Sequence, residues 1–156
     1  KISNSWIYKN SKKKKYKFEK INKKFKKKLI IKNKKGECFR FLRNKEIKKY
    51  SEIYFSEILP NKFKGWKKNK YIDQNIIVPI GNIKVTIIEN IKKKKIKTVL
   101  LGKKFNYGIY KINKNTWYGF KCLGKQKALI VNCISEIHNR KHIENMSKTF
   151  IKIRSW

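Results

Sequence analysis

From Leu29 onward, short apolar runs recur about every ten residues, divided by glycine, asparagine or lysine clusters. They include Leu29-Ile30-Ile31, Cys38-Phe39-Arg40-Phe41-Leu42, Glu52-Ile53-Tyr54-Phe55, Asn75-Ile76-Ile77-Val78, Thr98-Val99-Leu100-Leu101 and Ala128-Leu129-Ile130-Val131. The runs are rich in β-branched and aromatic side chains, which pack well on a pleated surface. Ile83-Lys84-Val85-Thr86-Ile87 alternates apolar with polar, the period of a half-buried strand. Gly81-Asn82 and Gly124-Lys125 read as turns, and Pro60-Asn61 and Lys114-Asn115 as weaker ones. No long stretch shows the 3.6-residue period of an amphipathic helix. Many short strands joined by tight turns predict an all-β sandwich or barrel over residues 29–156.

Residues 1–28 follow a different rule. They hold thirteen lysines against the single acid Glu19, with Trp6, Tyr8, Tyr16, Phe18 and Phe25 interspersed. Like charges at this density oppose a free helix. The segment is expected to be a basic N-terminal extension lying outside the folded body.

The charge is not confined to that extension. The 156 residues carry 44 Lys+Arg and 9 Asp+Glu, a formal charge of +35. Self-repulsion on that scale favours a polyanionic partner. Hydrophobic residues are 40% and aromatics 13%, enough to bury a core. All but four of the basic residues are lysine, and Ala128 is the sole alanine, a bias that AT-rich coding also produces.

Several function classes lose support. No apolar run approaches the roughly 20 residues that cross a bilayer, so no membrane insertion is expected. Cys38, Cys122 and Cys133 form no CxxC pair, which predicts free thiols in a reducing intracellular compartment, cytoplasmic or organellar. His138 and His142 are four apart, but no third ligand accompanies them, so no metal is expected. Phosphate-binding glycine motifs are absent. The chain opens on Lys1 rather than Met, so further residues are expected before it.

The order of several fragments resembles a known family. Glu52-Ile53-Tyr54-Phe55-Ser56-Glu57-Ile58-Leu59-Pro60 leads into Lys62-Phe63-Lys64-Gly65-Trp66, then Gly81-Asn82-Ile83-Lys84-Val85 and Leu101-Gly102. Trp117-Tyr118-Gly119-Phe120-Lys121, Val131-Asn132-Cys133, His138, Glu144 and Ile153-Arg154-Ser155-Trp156 follow. This series resembles the dTDP-4-dehydrorhamnose 3,5-epimerase-like cupins over residues 29–156. The resemblance implies an RmlC-like jelly roll, often a homodimer, with a nucleotide-linked keto-sugar bound inside the barrel. It implies a histidine base, a tyrosine acid on the other face of the sugar, and no cofactor.

The implied catalytic positions are altered. Where the family has its histidine this chain has Lys67, followed by Lys68, and Asn69 replaces a second histidine. A lysine ammonium, protonated at neutral pH, is no base. The strand bearing the family's tyrosine reads Leu129-Ile130-Val131-Asn132-Cys133, with Val131 at the acid position. Trp66, Lys67, Asn69, Trp117 and Tyr118 are therefore expected to line a vestigial sugar pocket, although large aromatics serve equally as core.

The lysine runs supply a second candidate surface. Lys12, Lys13, Lys14, Lys15, Lys23, Lys24, Lys26, Lys27 and Lys28 in the extension, with Lys92, Lys93, Lys94 and Lys95 in a predicted turn, suit phosphate contacts. Interleaved aromatics suit stacking on unpaired bases. The favoured expectation is a non-catalytic cupin binding RNA or another polyanion, as in a ribosome or other ribonucleoprotein particle. The alternative is a nucleotide-sugar 3,5-epimerase or related isomerase.

Overall fold

The computed structural model describes residues 24–147 apart from Lys94. Twelve strands are formed among them: β1 (Phe25–Lys27), β2 (Ile30–Asn33), β3 (Gly36–Phe39), β4 (Glu52–Ile58), β5 (Phe63–Asn69), β6 (Gln74–Ile80), β7 (Asn82–Asn90), β8 (Lys95–Gly102), β9 (Gly108–Ile112), β10 (Trp117–Leu123), β11 (Ala128–Ile134) and β12 (Ile143–Asn145). Two short 3-10 turns, Asn44–Lys49 and Arg140–His142, complete the ordered elements.

The strands build two antiparallel five-stranded sheets, ordered β1-β9-β6-β11-β4 and β12-β5-β10-β7-β8. Their facing sides enclose a core of Ile58, Ile76, Val78, Ile83, Val85, Leu101, Ile112, Phe120, Ile130 and neighbours. The β2–β3 hairpin lies outside, on the back of the first sheet. There Ile30, Phe39, Phe41 and Leu42 cover Ile77, Ile109, Val131 and Cys133. A sheet with both faces covered needs apolar residues at consecutive positions, which explains the continuous Ile76-Ile77-Val78 run.

The apolar runs and turns appear where the pattern places them. Gly81 turns at φ +73 and Gly124 at φ +88, while Asn61 and Asn115 also adopt positive φ. In β7, Ile83, Val85 and Ile87 face the core as expected, but Thr86 and Ile88 are buried too, so this strand is covered on both faces rather than half-buried. Cys122 and Cys133 are buried thiols; Cys38 is exposed.

The edge of the extension differs from expectation. Phe25–Lys27 pairs with Gly108–Tyr110, so the first sheet starts inside the stretch assigned to the arm. The physical reason is Phe25, whose ring packs against the core while Lys26 and Lys27 remain exposed. Lys12, Lys13, Lys14, Lys15 and Lys23 lie outside the described residues.

Candidate functional site

Residues directly opposed in an antiparallel pair share a face of the sheet. In the β5–β10 pair, Lys67 opposes Tyr118. Tyr118 belongs to the core between the sheets, so Lys67 is on the interior face although its side chain is exposed. Asn69, two residues on, shares that face and is buried. Its Oδ1 accepts from the backbone N–H groups of Tyr71 and Ile72, both at 3.1 Å, so it ties the β5–β6 turn.

The two tryptophans of the expected pocket are elsewhere. The Phe63 ring lies over Gly65 and Gly119, on the side of the sheet opposite Tyr118. Trp66 is 1% exposed and meets Phe63 edge-on, with ring centroids 5.3 Å apart. Trp117, next to Tyr118, alternates to the outer face, where Lys68 Nζ stands 5.1 Å over its ring and 2.7 Å from Glu144 Oε2. A register irregularity between Tyr118 and Gly119 accompanies this arrangement. Of the expected pocket residues, Lys67, Asn69 and Tyr118 share the interior face and Trp66 and Trp117 pack outside.

Tyr118 is surrounded by polar groups that sequence reasoning passed over. Burial, followed by the neighbouring Tyr54 phenol, raises its pKa, while a hydrogen bond from the Gln74 side chain works the other way. The Gln74 amide is buried, as is Asn132 on β11. Asn132 opposes Tyr54 of β4 and Ile76 of β6. Burial raises the Tyr54 pKa as well, with Glu52 adding to it. The His138 ring lies tilted beside Tyr54, with centroids 5.8 Å apart, and its backbone N–H donates to Glu52. Val131, expected from the resemblance at the acid position, faces the outer cluster and not the barrel. The alternation of Ile130, Val131 and Asn132 carried that signal.

A cavity of about 330 Å³ opens beside this group, lined by Ile87, Tyr110, Lys24, Lys97, Asn115 and Thr116 among others. Ile87 opposes Tyr118, and Tyr110 opposes Ile76, so the cavity borders the same layer of side chains. Burial pushes the Tyr110 phenol up to about 12. Such a volume suits a small ligand with one polar end. Among the described residues no group of three His, Cys, Asp or Glu side chains could hold a metal ion. None of their helices is long and apolar enough to cross a membrane.

Among the described residues, the lysines assigned to RNA lie at separate places. Lys92 and Lys93 are exposed in the β7–β8 turn, and Lys95 opens β8 beside Glu89 at 3.1 Å. Lys94 lies outside the described residues. Lys24 and Lys26 line a second cavity of about 370 Å³ behind the first sheet. Lys27 is exposed, and Lys28 is largely buried against Glu46.

No protein-family profile matches the chain, and no curated protein does. Solved structures do. A dTDP sugar isomerase from Desulfovibrio desulfuricans is 29% identical, with 83% of this chain and 87% of that chain covered and a TM-score of 0.73. A variant of the 3,4-ketoisomerase QdtA from Thermoanaerobacterium thermosaccharolyticum, in complex with TDP-4-keto-6-deoxyglucose, is 16% identical over 83% and 93% of the chains, at 0.63. The dTDP-4-dehydrorhamnose 3,5-epimerase from Sulfolobus tokodaii is 17% identical over 80% and 76%, also at 0.63. These similarities overturn the RNA-binding, ribosomal reading. Four-fifths of the chain follows sugar-nucleotide enzymes, and a high lysine content alone does not outweigh that. The chain has the RmlC-like cupin jelly-roll fold and is related through it to the dTDP-sugar epimerases and isomerases.

Proposed function

We propose that the barrel mouth binds a nucleoside-diphosphate keto-sugar and moves a proton between carbons next to its carbonyl, as a sugar isomerase does. The observation that carries this reading is the direct opposition of Lys67 and Tyr118 on the interior face. A cavity of about 330 Å³ is lined by Ile87, the residue opposite Tyr118, and its lining holds Lys24 and Lys97 with the single acid Glu89, a net positive charge that suits a pyrophosphate.

Inverting one carbon requires a base on one side of the ring and an acid on the other. Lys67 and Tyr118 are neighbours on a single sheet, so they address one side of a bound sugar. That arrangement suits transfer between adjacent carbons and favours isomerisation over epimerisation. The Lys67 ammonium stabilises the enolate that forms as solvent water takes the proton beside the ketone. The neighbouring hydroxyl passes its proton to the original carbonyl oxygen, and Tyr118, kept protonated by burial, supplies a proton to the adjacent carbon as the carbonyl reforms one position along. Return of the proton from water to the Tyr118 phenolate restores the phenol. Gln74 fixes the phenol's direction through its side-chain bond.

The test is incubation of the full chain with dTDP-4-keto-6-deoxyglucose in deuterated water, followed by NMR. Deuterium beside the carbonyl and a shifted ketone are expected, both lost in Lys67→Ala and Tyr118→Phe. Binding without exchange would leave a sugar-nucleotide binder and remove the catalytic half of the reading.

A further inference from the structure

The inward positions of β11 are Ala128, Ile130, Asn132 and Ile134, so one amide interrupts an otherwise apolar row. Asn132 is 3% exposed, and its Nδ2 has no hydrogen-bond acceptor among the described residues. Gln74 is 4% exposed; its amide is engaged with Tyr118, but its Oε1 receives no donor among the described residues. The register sets the two amides diagonally, since Asn132 opposes Ile76 while Ile134 opposes Gln74. Diagonal neighbours on one face lie within reach of a single small molecule. This layer therefore holds one open donor and one open acceptor, both more than nine-tenths buried.

Leaving such groups unmet costs stability, whereas leucine or valine at 132 would continue the apolar row. The open pair matches an α-hydroxy ketone: Asn132 Nδ2 donates to the carbonyl oxygen and Gln74 Oε1 accepts from the adjacent hydroxyl. We propose that Asn132, paired with Gln74, reads the hydroxy-ketone edge of the sugar and so determines specificity at this site. The inference rests on the keto-sugar reading given above and deepens it. It assigns Asn132 to the sugar and not to the nucleotide.

The test is titration calorimetry on the full chain with dTDP alone and with dTDP-4-keto-6-deoxyglucose, alongside melting of the free protein. Asn132→Leu is expected to bind dTDP as the parent does, to bind the keto-sugar conjugate about tenfold more weakly, and to melt a few degrees higher. Asn132→Ser, a smaller change, keeps the affinity arm readable if the leucine variant does not fold. Equal affinity of parent and variants for the conjugate would show that the amide serves only a water, and would overturn the assignment. Parallel loss of both ligands with a lower melting point would do the same by making Asn132 structural. A parent chain that binds neither ligand would instead sink the keto-sugar reading, and this assignment with it.

Discussion

The Lys28 ammonium stands 2.7 Å from Glu46 Oε2, joining the end of β1 to the 3-10 turn at Asn44–Lys49. Lys28 also donates its backbone N–H to the Tyr107 carbonyl at 3.1 Å. A residue that reads as part of a free basic arm is thus held at both ends.

This pair sets an acid limit on stability. The hydrogen bond from Lys28 holds the Glu46 carboxyl below its ordinary range, against the opposing effect of burial. A depressed folded pKa gives stability that is complete above the unfolded value of 4.5 and is lost as pH falls through the folded one. Glu46→Gln is expected to cost about 1 kcal/mol at pH 7, a difference that vanishes in strong acid. Urea unfolding of both proteins across pH 2–7 checks it.

Asn69 holds the β5–β6 turn through its side-chain oxygen. Asn69→Ala removes the acceptor for the N–H groups of Tyr71 and Ile72 and is expected to cost about 1–3 kcal/mol. Chemical denaturation measures this without any ligand. An unchanged midpoint would show that the turn holds itself.

Gly108 bears on where the folded body begins. A Cβ there would meet the Lys26 carbonyl and the Phe25 ring. Gly108→Ala should push β1 off the sheet edge and cost about 1–3 kcal/mol. Hydrogen exchange should then show loss of protection at Lys28, whose amide bonds Tyr107, and at Lys111, whose amide bonds the Lys24 carbonyl at 2.8 Å.

The Tyr118 phenol predicts the alkaline side of the proposed activity. An ordinary phenol ionises near pH 10. Burial raises Tyr118 above that, so the proton donor should persist and exchange should show no phenol-derived decline at about pH 10. A pH–rate profile extended to that region is the check.

Charge makes a separate prediction. At +35 the folded chain repels itself, and salt screens that repulsion. The melting temperature should rise between about 20 mM and 300 mM sodium chloride. A fall would mean that the local pairs, such as Lys68–Glu144 and Lys111–Asp73, outweigh the global field.

Much of the sandwich is legible because its central strands are buried on both faces and read as apolar runs. β5 is harder: Lys64, Lys67 and Lys68 interrupt it, and only the family resemblance marks it. β1 is hidden because a single ring, Phe25, outweighs the lysines around it. The polar layer is hidden for another reason. Gln74 and Asn132 look like surface residues until the register puts them between the sheets. Trp66 and Trp117 mislead in the opposite sense, since large aromatics pack as readily behind a sheet as inside a barrel.

The pairing of β4 with β11 joins Glu52 to Ile134. Among the described residues β4 has no other strand partner in its sheet, and β6 pairs with β11 and β9. Native contacts are therefore dominated by residues far apart in the chain, a topology that folds in milliseconds to seconds rather than microseconds. During synthesis, Ile58 and Ile76 lack their β11 partners, Ala128 and Asn132, until those residues have been made. Like charge on the lysines between the strands opposes adhesion of half-built sheets to one another.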